Sequence, residues 1–279
     1  MPTSPLSDSI ARLRLARAAA PAAPALPVRL PATPNGAQAI PSAILRSALF
    51  SVAARGARRY IPGVEICAID GVSIRYKGEQ LDQGDLDIWA AVLHVQRDSA
   101  LGVRYPISAY SLLRQIGITD TGANRATLRD RIERLVATAL TIRQPSLGDY
   151  IGSLISWAAK DATTHSWIIE INPQLAALFE GSRFTLLDWD VRRELVGQPL
   201  AQWLYGFYRS HAAPYPMKIS SLHALCGSGA PADVMSDFAK KLRRSLAAVA
   251  TATARHGSVF EYEIRDGLIC GSWCKLPKK

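Results

Sequence analysis

No run of eighteen apolar residues occurs in the 279-residue sequence, so a membrane-spanning helix is not expected. Cysteine is scarce. Cys67, Cys226, Cys270 and Cys274 lie far apart in a long chain, which excludes a small secreted disulfide scaffold and favours reduced thiols. An apolar signal-peptide core is missing too, because arginines interrupt the first segment, and a bacterial cytoplasmic location is the expectation. Acid is under-represented: 33 Lys and Arg against 23 Asp and Glu leave +10, with a pI near 9.7. Such a surplus points to a polyanionic partner and says nothing about fold.

Catalytic signatures are equally thin. There is no G-x-x-x-x-G-K-[ST] loop, and the glycines of Cys226-Gly227-Ser228-Gly229-Ala230 read as a turn ahead of Pro231. No His-hydrophobe-His pair is present to bind a nuclease metal. Asp85-x-Asp87 and Asp188-x-Asp190 suit helix N-termini better than Mg²⁺. Cys270, Cys274 and His256 lack the close spacing and fourth ligand of a zinc site. Tyr60, Tyr150 and Trp203 could stack on bases, but aromatics beside a helical stripe usually belong to a core. No enzyme, metal or cofactor is expected.

Of what is present, the first 41 residues hold eight of the seventeen prolines and read as an extended, disordered Pro/Ala-rich tail. Within it, Ile10, Leu13 and Arg17 recur at helical spacing between Ser7 and Ala20. The Arg-rich character resembles a transit peptide, but a short helix on an arm is the simpler reading.

The rest contains a duplication. Tyr105-Pro106, Ser111-Leu112 and Gly117 recur 110 positions later as Tyr215-Pro216, Ser221-Leu222 and Gly227. Leu128, Arg131, Ile132, Val136 and Ala139 match Phe238, Lys241, Leu242, Leu246 and Val249 in the same register. Each copy opens with an apolar helix, Leu86 to Val95 or Leu195 to Tyr208. A short extended Tyr-Pro segment follows. Then Ser108 or Ser220 caps a short helix that Gly117 or Gly227 closes. A long helix comes next, Ala123 to Leu140 or Ala232 to Ala250. Behind it lies a hairpin: Tyr150–Trp157 with Ser166–Ile171, or Ser258–Ile264 with Leu268–Cys274 around Asp266-Gly267. Ile66 to Tyr76 makes a further hairpin around Asp70-Gly71. The expectation is an α+β chain of two tandem winged-helix domains, with boundaries 1–41 for the tail, 42–187 and 188–279.

Charge separates the two long helices. In the second, Met235, Phe238, Leu242, Leu246 and Val249 share one face, while Ser236, Lys240, Arg243 and Arg244 lie opposite and Lys241 on the flank. In the first, Leu128, Ile132, Leu135 and Ala139 form the core stripe, and Thr127, Arg129, Asp130, Glu133 and Arg134 point outward. Asn124 and Arg125 occupy the first turn, where a recognition helix meets base edges. The candidate DNA-binding set is therefore Asn124, Arg125, Thr127, Arg129, Arg131, Arg134, Ser236, Lys240, Lys241, Arg243, Arg244, Arg255 and Arg265. Residues 61–100 carry seven acids against three bases and suit scaffolding or protein contact better.

These features resemble the TrfA family of plasmid replication initiators. The resemblance runs from Arg46 to Cys274 and is carried by Ser210-His211 through Pro214-Tyr215-Pro216-Met217-Lys218 and Leu225-Cys226-Gly227-Ser228. Arg46-Ser47-Ala48-Leu49-Phe50, Tyr76 with Gly78-Glu79 and Leu81, and Arg134-Leu135 with Ala137-Thr138-Ala139 support it in the same order. The resemblance implies binding to double-stranded origin repeats called iterons, DNA opening, and recruitment of the host helicase and sliding clamp. It also implies a monomer–dimer balance with the monomer active. The tail has no Gln-Leu-Ser-Leu-Phe-like segment to carry a direct clamp contact. A winged-helix transcriptional repressor is the alternative, since a fold does not fix a function.

Overall fold

The computed structural model describes residues 29–52, 58–144, 148–228 and 235–274. Strand β1 (Ala37–Pro41) leads into α1 (Ser42–Leu45), β2 (Phe50–Ser51), β3 (Tyr60–Ile66), β4 (Ser73–Glu79) and β5 (Leu81–Asp82). A first unit comprises α2 (Gln83–Val95), β6 (Tyr105–Ile107), α3 (Ala109–Gln115), α4 (Gly122–Val136), β7 (Ala139–Gln144), β8 (Gly148–Gly152), β9 (Trp157–Lys160) and β10 (Trp167–Glu170). A 3-10 segment (Pro173–Phe179), β11 (Phe184–Asp188) and α5 (Trp189–Glu194) connect it to the second unit. That unit comprises α6 (Pro199–Arg209), β12 (Met217–Lys218), α7 (Ile219–Leu225), α8 (Met235–Arg255), β13 (Val259–Arg265) and β14 (Leu268–Cys274). The chain is α+β.

The duplication is a structural one. The small sheets have equivalent orders, β6-β10-β9 and β12-β14-β13, so each short strand pairs with the second strand of its hairpin. Helices α3 and α7 begin and end 110 residues apart, and Gly117 (φ 74°) and Gly227 (φ 62°) follow both in the left-handed conformation that glycine adopts without strain. Ser108 caps α3 by accepting from Ser111 N at 3.0 Å. The equivalent of Ser108 in the second unit is Lys218, which makes no side-chain cap, and Ser220 lies inside the first turn. Asp266 (φ 52°) and Gly267 (φ 73°) form the two-residue turn of the second hairpin.

Beyond the Ser220 cap, the sequence expectation for the elements fails in four further places. First, the tail does not extend to Pro41: Arg29 bridges Ala100, and β1 pairs antiparallel with β11, burying Ile40 completely. That burial contributes about 1.5–3 kcal/mol. The arm at Ser7 to Ala20 lies outside the described residues. Second, α4 stops at Val136, and Ala139 is an exposed residue of β7. Leu140 and Ile142 are buried in alternation with Thr141 and Arg143, a strand period that follows the helix without a break. Third, Tyr150 to Trp157 is divided between two sheets. Strand β8 extends β3-β4-β7, β9 pairs with β10, and buried Leu154 and Ile155 lie between them. Fourth, the helix expected from Leu195 starts at Pro199, since Gly197 (φ 85°) breaks the chain and proline suits a first helical position.

One continuous core serves both units. Helix α2 is apolar nearly all round, with Leu86, Ile88, Trp89, Val92 and Leu93 buried. Helix α6 packs against α1 and α2; a Cβ on Gly206 would stand 2.9 Å from Leu45 Cδ2. The segments that carry the family resemblance meet here. Arg46 donates to Ser210 Oγ at 3.0 Å and Asp70 Oδ2 at 2.7 Å, and also to the Ser210 carbonyl. Trp203 Nε1 donates to the Ser47 carbonyl at 3.3 Å, and Val52 N to the Cys226 carbonyl at 2.9 Å.

Candidate nucleic-acid interface

In α8, Phe238, Leu242, Leu246 and Val249 are buried against the second unit, and His223 of α7 meets the Phe238 ring edge-on at 4.7 Å. Burying that stripe turns Ser236, Lys240, Lys241, Arg243 and Arg244 to solvent. Lys240 spends part of its charge on Asp237, one turn away at 3.1 Å. Among the described residues, Lys241, Arg243 and Arg244 have no ion pair. A third helix with an uncompensated basic outer face can lie along a phosphate backbone or enter a major groove.

Helix α4 is built differently. Thr121 caps it by accepting from Asn124 N at 3.2 Å. The Asn124 amide donates to the Thr119 carbonyl at 2.7 Å, and Arg125 grips Asp120 with two bonds of 2.6 and 2.7 Å. Those bonds hold Arg125 above and Asp120 below their ordinary pKa values, although both remain exposed. Thr127 Oγ1 donates back to the Ala123 carbonyl at 3.1 Å. Arg129 is exposed, but so are Asp130 and Glu133 on the same outer surface.

The structure corrects the placement of Arg131 and Arg134, which point into the protein. Asp85, completely buried at the start of α2, is their receptor. Its Oδ1 lies 2.9 Å from Arg131 Nη1 and 2.7 Å from Arg134 Nη1, and its Oδ2 lies 2.9 Å from Arg58 Nη1. Asp82 adds a contact to Arg131 at 2.6 Å and another to Arg58. Asp82 and Asp85 also form a reciprocal capping box, each carboxylate accepting the other's backbone N–H. Burial, and then the charge of Asp82, push the Asp85 carboxyl above its ordinary pKa. For Asp82 burial acts the same way, but Arg131 and then Arg58 outweigh it and hold its carboxyl low. Asn124, Thr127 and Arg131 line a cleft of about 570 Å³ together with Gly84, Val196, Gly197 and Pro199.

The remaining candidates lie away from the long-helix faces. Arg265 is exposed at the tip of the β13–β14 hairpin, 2.7 Å from Glu263. Arg255 ends α8 and pairs with Glu194 of α5 at 2.5 Å; His256 reaches the same carboxylate at 3.0 Å. Sequence reasoning missed Lys218, exposed at the start of α7, and the partners of α4's arginines. The Asp82-x-x-Asp85 box was the available signal for the latter. Among the described residues no helix is long and apolar enough to cross a membrane, and no cluster of three His, Cys, Asp or Glu side chains could hold a metal.

Comparison with solved structures gives a likeness to domains 2 and 3 of RctB at 14% identity and a TM-score of 0.50, covering 84% of this chain and 97% of that one. The Pi initiator protein in complex with iteron DNA matches at 10% identity and a TM-score of 0.50, covering 67% and 90%. At these identities the likeness speaks for fold alone. The plasmid replication initiator protein TrfA of Escherichia coli is 26% identical over 202 residues, 70% of this chain. The chain thereby spans about half the length of that relative, 52%. The family model described as TrfA protein matches residues 28–271, so nearly every described element falls within it, and the chain belongs to the TrfA family.

Proposed function

We propose that this protein is a sequence-specific DNA-binding initiator of plasmid replication that recognises origin iterons through two tandem winged helices. The observation that carries this reading is the outer face of α8, where Lys241, Arg243 and Arg244 stand without ion-pair partners among the described residues, on the third helix of a helix-strand-helix-helix-hairpin unit. The TrfA relative's role as an initiator and the iteron-bound state of the Pi protein support extending it to origin repeats. In this reading the second unit grips the duplex, the first supplies Arg125 and Arg129 at its edge, and the protein works by binding rather than catalysis. Opening of the origin and recruitment of a host helicase then follow as functions of the bound protein.

Supplying the protein in trans to a plasmid that carries only its candidate origin tests this. Stable maintenance that depends on the protein is the expected result. Specific binding without maintenance would instead make it a repressor built on the same fold.

A further inference from the structure

Three sets of ion pairs, linked through the backbones of α2 and α5, run between the two long helices. Arg131 and Arg134 of α4 are held by Asp85 of α2. Two residues on, Asp87 holds Arg192 of α5 at 2.5 Å. Two residues beyond Arg192, Glu194 holds Arg255 at the end of α8. The central link is the least expected. Arg192 is 1% exposed and donates to Asp87 Oδ1, to Gln83 Oε1 at 3.1 Å, and to the carbonyls of Gln83 at 3.2 Å and Gln202 at 3.4 Å. Gln202 Nε2 completes the set by donating to Asp87 Oδ2 at 3.2 Å. Apolar contacts tolerate sliding because they are non-directional, whereas these bonds tie α2, α5 and α6 together in one geometry. A buried ion pair is a poor source of stability compared with apolar side chains of similar volume, and its best-attested use is to fix register.

We propose that the Asp87–Arg192 pair is a positioning device that fixes the separation and angle between α4 and α8, and so makes binding selective for the spacing between the two DNA segments they contact. This rests on the reading that both units engage one duplex. One inserted base pair moves the second segment by about 3.4 Å and turns it by roughly 35°, a change that a rigid pair of helices cannot follow.

The probe is a duplex recovered from a randomised library by the full-length wild-type chain, remade with one base pair inserted or removed between its two footprinted segments. The wild type should bind the altered duplexes at least tenfold more weakly. Arg192→Met combined with Asp87→Leu should bind the original duplex within about threefold of wild type while losing spacing discrimination to twofold or less. Arg192→Lys keeps the charge without the planar fork and should fall between them; it carries the comparison if the double variant lacks a cooperative melt. Undiminished discrimination in the variants would overturn the positioning role, as would a wild type indifferent to spacing. If the wild type recovers no specific duplex at all, the DNA-binding reading itself fails.

Discussion

Arg131 and Lys241 occupy equivalent positions, 110 residues apart, in two copies of one unit, but their surroundings differ. Arg131 is drawn inward by Asp82 and Asp85, together with Arg134, whereas Lys241 stands in solvent beside Arg243 and Arg244. The first unit has spent Arg131 and Arg134 on internal structure, and its outer face mixes Arg129 with Asp130 and Glu133. In the second, Lys240 and Arg255 have acidic partners, but Lys241, Arg243 and Arg244 have none among the described residues. A shared fold therefore does not imply a shared share of the binding: charge has to be followed to its partner before it is credited to a ligand.

The largest expected effect breaks the inward half of this contrast. Asp85→Ala would leave Arg58, Arg131 and Arg134 around a buried gap, and urea unfolding at pH 7 should show a loss of about 3–5 kcal/mol. A loss below 1 kcal/mol would mean that these arginines are not structurally committed. Next, Arg243→Ala with Arg244→Ala should weaken specific binding at least a hundredfold, at about 1.5–3 kcal/mol for each charged contact. Melting should be unchanged, because both residues are exposed.

Much of this layout was legible in the sequence. Tyr-Pro, Gly117, Gly227 and Asp266-Gly267 punctuate the chain in ways that fix turns locally, and the repeat offset identified the two units before any contact was known. The inward arginines were not legible in the same way. Helical spacing places Arg131 beside the core stripe, but only tertiary structure brings the α2 carboxylates to it. Strand β7 escapes the sequence pattern because Ala139, its first residue, continues the helical period of Leu128, Ile132 and Leu135 by accident of spacing. Proline content, likewise, hid β1: Pro41 closes that strand and Pro34 precedes it, leaving Ala37 to Ile40 free to pair.

The remaining predictions are smaller. Deleting residues 1–41 should cost about 3 kcal/mol by removing β1 and its buried Ile40, while deleting 1–28 should leave the melt nearly unchanged. Equal melts for the two truncations would contradict the role given to β1. Arg129→Ala should weaken DNA binding less than tenfold in the same titration used for the α8 variant, because Asp130 and Glu133 already offset its field. The smallest effect concerns His211, at the junction near Arg46. Burial foremost, and the Arg46 charge, hold its imidazole below the ordinary value, against the Phe207 carbonyl and Asp70. A depressed folded-state value means that the unfolded chain takes up the proton first. Its contribution to stability is thus full above about pH 6.5 and is lost as pH falls below it. His211→Gln should flatten the decline in stability between pH 7 and pH 5; an unchanged slope would exclude His211 as its source.

The claim that α8 supplies the main grip on DNA is tested most directly by salt dependence. If six to eight phosphates are neutralised, log K should fall against log salt with a slope of roughly −5 to −7 for the wild type. Arg243→Ala with Arg244→Ala should make that slope shallower by about 2, and Arg125→Ala with Arg129→Ala by less than 1. The opposite ordering, with the α4 pair costing the larger part of the slope, would contradict the account.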